Sequence, residues 1–132
     1  MDKNKKIFII ENDANLLYSM QAKFRVENFE VIIDEGLDKI EIVEKIKIHR
    51  PDYIILDIIL PKINGFQVLA EIKADPEILK ILVFVFTNLS DDESRQKAMA
   101  MGADFYLIKT EFNLDEFVDK FQKIITNKAK IN

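Results

Sequence analysis

Five short runs rich in β-branched and aromatic residues recur along the chain: Lys6 to Ile10, Glu30 to Asp34, Tyr53 to Leu56, Ile81 to Phe86 and Phe105 to Ile108. Each is followed by a longer segment with helical spacing. This alternation constrains the fold strongly, because consecutive parallel strands can be joined only by a crossover long enough to hold a helix. The intervening segments supply those helices. In Asn15 to Val26, the residues Leu16, Met20 and Phe24 share one stripe, and Ile40, Ile42, Val43 and Ile46 are expected to do the same in the second helix. A third helix runs from Gly65 to Lys73. Ser90 with Glu93 reads as a capping box opening the fourth, which Gly102 closes as a left-handed cap. Asn113 with Glu116 opens the fifth, expected to end near Asn127, and the polar tail 128–132 is expected to fray.

With 132 residues, 48% of them hydrophobic, the chain suits one domain with one real core, and no stretch reads as a linker. The 23 acidic residues outnumber the 19 basic ones, which disfavours direct binding to nucleic acid phosphates. There is no cysteine, so disulfides and thiolate chemistry are excluded. The apolar run near the N-terminus is interrupted at Glu11 and is too short for a signal segment or a membrane span. A soluble, cytoplasmic protein is expected.

In an open α/β sheet the binding crevice lies beyond the carboxyl ends of the strands. The residues there are Glu11, Asn12 and Asp13 after the first strand, Asp57 after the third, Thr87 and Asn88 after the fourth, and Lys109 after the fifth. Asp57 ends the apolar run "YIIL", where an unpaired carboxylate would be costly to bury. Gathered carboxylates need a cation, and Mg²⁺ suits oxygen ligands that leave room for a phosphate and water. Lys109 would add a positive charge for that phosphate and Thr87 a hydroxyl hydrogen bond. Asp57 is then a carboxylate nucleophile able to form an acyl phosphate. Taken singly, each has a plainer reading: Asp57 as a strand-end residue, Lys109 as a surface lysine, Thr87 as a β-branched strand residue. Only their convergence favours chemistry.

In order, "IFIIEND", "PDYIILDIILPKING", "VFVFTN" and "GADFYLIK" resemble the strand ends of a response-regulator receiver domain, over about residues 5–123. The resemblance implies a single receiver domain with a flavodoxin-like, doubly wound, five-stranded parallel sheet of order 2-1-3-4-5 and five helices. It implies Asp57 as phosphoacceptor, Thr87 and Lys109 as phosphoryl contacts, and Glu11, Asn12, Asp57 and the Ile59 backbone carbonyl as Mg²⁺ ligands. Tyr106 resembles an aromatic switch acting with Thr87, although it also reads as a half-buried strand aromatic. The implied function is a phosphorylation-dependent signalling switch. A sensor histidine kinase or phosphotransfer protein would be the donor. A stand-alone receiver would act on a downstream protein through the face of the fourth helix, fifth strand and fifth helix. Such a domain catalyses only its own modification and is not an enzyme in the usual sense. A flavin-binding domain of similar topology is disfavoured, because "ENDAN" offers acidic side chains where a phosphate cradle is needed.

Several positions depart from the family pattern. Asn12 stands where an aspartate is usual, which predicts weaker Mg²⁺ binding and slower phosphorylation; whether Asp13 reaches the metal is open. Asn88 replaces a small residue at the pocket mouth, where it would either hinder a donor or hydrogen-bond the phosphoryl group. Thr110 follows Lys109 where a cis proline is common, leaving a trans bond or a strained loop. Ile59 and Leu89 occupy the positions that tune dephosphorylation; neither can orient a water, so a long-lived acyl phosphate is expected. Asn12, Asn88 and Thr110 support an alternative, a degenerate receiver serving as a phosphorylation-independent interaction module. His49 reads as a solvated helix-end residue.

Overall fold

The computed structural model of the chain describes residues 4–131, with side chains to residue 128. Strands β1 (Lys6–Ile10), β2 (Glu30–Asp34), β3 (Tyr53–Leu56), β4 (Leu82–Thr87) and β5 (Phe105–Ile108) form one sheet of order β2-β1-β3-β4-β5. Every pairing is parallel. The helices α1 (Ala14–Val26), α2 (Lys39–His49), α3 (Gly65–Ala74), α4 (Asp92–Ala100) and α5 (Leu114–Ile131) connect and follow the strands. This is the doubly wound flavodoxin-like architecture, and the expected order is borne out.

Alternation along the strands produces two cores, one on each face. Phe8, Ile10, Ile54, Leu56, Val83 and Val85 meet Ile42 and Ile46 of α2, Val68, Leu69 and Ile72 of α3, and Ala98 of α4. Ile7, Ile9, Ile55, Phe84 and Phe86 meet Leu17, Met20 and Phe24 of α1 and Phe117 and Phe121 of α5. The second core is aromatic: Phe86 stacks on Phe117 with centroids 3.7 Å apart, and Phe24 meets Phe121 edge-on at 5.1 Å. Burying a phenylalanine side chain contributes about 2–3 kcal/mol, so this aromatic face contributes strongly to holding α1 and α5 against the sheet.

Some boundaries differ from the sequence expectation. β4 ends at Thr87 rather than Phe86, because Thr87 still pairs with Ile108 of β5. The cap of α4 is Asp91, whose carboxylate accepts the Ser94 N–H at 3.0 Å; Ser90 lies before the helix, so the expected capping box with Glu93 is absent. The box opening α5 is present in full: Asn113 N–H donates to Glu116 Oε1, and Glu116 N–H to Asn113 Oδ1, both at 2.8 Å. Helix α5 continues to Ile131, past the expected end at Asn127, since no glycine or proline interrupts "TNKAKI"; Asn132 lies outside the described residues. Ile40 is 68% exposed and does not join the buried stripe of α2. It stands two residues from Ile42, about 200° around the helix. Gly102 adopts φ +106° just past α4, as a left-handed cap requires.

Candidate functional site

Backbone pairing carries the chain past the formal ends of the strands and fixes the rim. Glu11 N–H donates to Asp34 O at 3.0 Å, extending the β1–β2 ladder, and Asp57 N–H donates to Ile10 O at 3.1 Å, extending β1–β3. The loop after Asp57 is closed by Gly65, whose N–H donates to Ile58 O at 3.1 Å. A Cβ on Gly65 would lie 2.4 Å from Ile58 Cα, so only glycine permits this approach. Thus "ILPKING" is a clamp on the residue beside Asp57.

Lys109 leaves β5 and opens a short 3-10 turn, Lys109–Glu111. Its ammonium lies 2.6 Å from Glu11 Oε1 and 2.6 Å from Asp57 Oδ2. The second oxygens are also held: Asp57 Oδ1 accepts the Ile59 N–H at 3.0 Å, and Glu11 Oε2 accepts the Asp13 N–H at 2.9 Å. Glu11 and Asp57 are 3% and 5% exposed, so both charges sit largely out of water. Burial pushes the Glu11 carboxyl above its usual range, against the pull of Lys109 and the Asp13 N–H. Burial would lower the Lys109 ammonium, but its hydrogen bonds to Asp57 and Glu11 outweigh that and hold it above its ordinary value. By formal charge the cluster sets two carboxylates against one ammonium, a surplus of one negative charge.

Thr87 is fully buried at the end of β4 and takes no part in the ion cluster; its Oγ1 accepts the Leu89 N–H at 3.4 Å. Tyr106 is buried on β5 opposite Val85, and its hydroxyl donates to Leu89 O at 2.7 Å. Asn12, Asn88 and Ile59 stand exposed around the rim. Asp13, by contrast, caps α1, its carboxylate accepting the Leu16 N–H at 3.2 Å. An aspartate two residues before Asn15 and three before Leu16 is a legible helix-start signal, even though its place beside Glu11 and Asn12 also suggests a ligand. Among the described residues there is no cis peptide bond, so Lys109–Thr110 is trans.

The donors expected from the sequence are all oxygens: the carboxylates of Glu11 and Asp57, the Asn12 amide oxygen and the Ile59 carbonyl. Among the described residues no three acidic or imidazole side chains gather to hold a metal. Mg²⁺ is commonly bound by only one or two carboxylates with waters, so the set fits that ion, with one protein charge fewer than a site with aspartate at residue 12. No helix among the described residues is long and apolar enough to cross a membrane.

Comparison with known proteins accords with this geometry. The chain is 29% identical to the response regulator ArlR of Staphylococcus aureus over 91% of its length and 52% of that protein's. It is 26% identical to the gliding motility regulatory protein of Myxococcus xanthus over 70% of its length and 12% of that protein's. The chain thus spans about half or less of the curated relatives it matches. A CheY-like receiver domain protein from Methanospirillum hungatei superposes with a TM-score of 0.82 at 23% identity, covering 98% of this chain and 99% of that one. Receiver domains are signalling switches of two-component systems rather than classical enzymes; they receive phosphoryl groups from histidine kinases and generally bind Mg²⁺ at the phosphorylation site. The model of the response regulator receiver domain matches residues 7–122, nearly the whole sheet and its helices, and the chain belongs to that family.

Proposed function

We propose that this single domain accepts a phosphoryl group on Asp57 and passes the change on by protein contact. The observation that carries the reading is the pairing of Lys109 with both Glu11 and Asp57 at 2.6 Å, which gathers residues distant in sequence at one small acidic site. In the transfer, an Asp57 carboxylate oxygen attacks phosphorus while the donor's P–N or P–O bond breaks, and the leaving group carries away the bonding pair. Glu11 and Asp57, with Asn12 and the Ile59 carbonyl, would hold Mg²⁺; the bound ion supplies positive charge to the phosphoryl oxygens. Lys109 supplies a second positive charge, and Thr87 turns its hydroxyl from Leu89 toward the new oxygens. Tyr106, joined to the same Leu89 residue, carries that movement to the face of α4, β5 and α5, where a downstream protein binds. Ile59 and Leu89 present no group to orient a hydrolytic water, so the acyl phosphate is long-lived.

Acetyl phosphate with Mg²⁺, followed by intact mass, tests the assignment. A phosphate adduct that disappears in Asp57→Asn is the expected result. The exposed Asn12 amide, in place of a carboxylate, favours a second reading, a receiver that binds its partner without being phosphorylated. Absence of any adduct on the wild-type chain would support that reading and remove the first.

A further inference from the structure

Helix α4 is unusual among the five. Its sequence, Asp92 to Ala100, presents almost no apolar face, and Ala98 is its single buried residue. Packing of hydrophobic side chains therefore does little to fix its position. Two cations over aromatic rings take that place: Lys97 Nζ lies 4.3 Å from the Phe66 ring centroid on α3, and the Arg95 guanidinium carbon lies 5.1 Å from the Tyr106 centroid on β5. Arg95 is half-buried and Tyr106 only 7% exposed, so their contact is shielded from water, where a cation–π pair is stronger. Tyr106 in turn donates to Leu89 O at 2.7 Å, and the Leu89 N–H meets Thr87 Oγ1 at 3.4 Å.

We propose that Arg95 is a positioning residue: its guanidinium, lying over the Tyr106 ring, holds that ring inward and makes it the link between α4 and the loop after β4. One consequence rests on the receiver reading above, namely that displacement of Thr87 is felt by α4 through Leu89, Tyr106 and Arg95. The positioning itself does not depend on phosphorylation. Any loss of the Arg95 contact frees both partners: the ring to turn outward and the first turns of α4 to shift.

The test uses the full chain, with the χ1 populations of Tyr106 read from three-bond couplings of its Cγ to the backbone nitrogen and carbonyl carbon. Arg95→Met keeps the length of the side chain but not its charge, and is expected to lower the inward-to-outward ratio about two- to fivefold. Arg95→Lys, which keeps the cation, should retain more of the inward population than Met does. Lys97→Met, on the same helix but over Phe66, should leave Tyr106 unmoved. A wild-type ratio in Arg95→Met, equal ratios for Lys and Met at residue 95, or an equal shift in Lys97→Met would each overturn the proposal. Because these couplings need no phosphate, failure here is separable from failure of the mass experiment.

Discussion

Two lysines, Lys73 and Lys109, are buried to a similar depth at opposite ends of the sheet, 16% and 13% exposed, and they keep different company. Lys73 donates to Leu79 O at 3.1 Å, Ile81 O at 2.9 Å and Asp104 Oδ2 at 3.0 Å. The same Asp104 oxygen accepts the Val83 N–H at 2.8 Å, so this pair staples the starts of β4 and β5 to the end of α3. Three ammonium hydrogens meet three acceptors, and one positive charge meets one negative charge. Lys109 meets two carboxylates and remains outnumbered. A saturated, neutral cluster has nothing to gain from a ligand, whereas a cluster with surplus charge at a sheet edge is ready for a cation. The difference between the two lysines lies in charge balance rather than in depth of burial.

That contrast can be broken most sharply at the structural end. Lys73→Met leaves Asp104 without its cation and two carbonyls without a donor, and should cost about 2–3 kcal/mol in urea unfolding. A loss below that of an ordinary surface substitution would remove the distinction. At the rim, the measurement is stabilisation by Mg²⁺. At about tenfold its Kd the ion should add about 1.4 kcal/mol to wild type and to Lys73→Met alike. Most of that gain should vanish in Asp57→Asn, and Asn12→Asp should lower the Kd about tenfold by adding a charged ligand. Equal affinities of wild type and Asn12→Asp would show that residue 12 does not reach the ion. The smallest effect is expected without metal. Asp57→Asn should then leave stability within about 1 kcal/mol of wild type, shifted upward, because relieving like-charge repulsion offsets one lost contact to Lys109. A marked loss would mean that Asp57 contributes to the fold as Asp104 does.

The strands were legible because β-branched runs are short, apolar and punctuated, and each of the five lies within one residue of its expected place. The start of α4 was less legible: Ser90, Asp91 and Asp92 are all competent caps in sequence, and in the fold it is Asp91 whose carboxylate accepts from the helix. Ile40 was misplaced for a related reason, since an isoleucine-rich helix offers more apolar residues than one face can bury. At the rim, Glu11, Asp57, Thr87 and Lys109 were identifiable as strand-end residues, and the structure brings Glu11, Asp57 and Lys109 into contact. The contact of Arg95 with the Tyr106 ring had no sequence signal, because contacts between chain-distant residues leave no local periodicity.

Local chemistry in the chain specifies which segments are strands and helices, and therefore which side chains stand at the strand ends, since those depend on neighbours in sequence. Which oxygen pairs with which cation, and that Lys73 is satisfied while Lys109 is outnumbered, depend on distances between residues far apart in the chain. Those distances exist only once the sheet and its two faces of helices have packed.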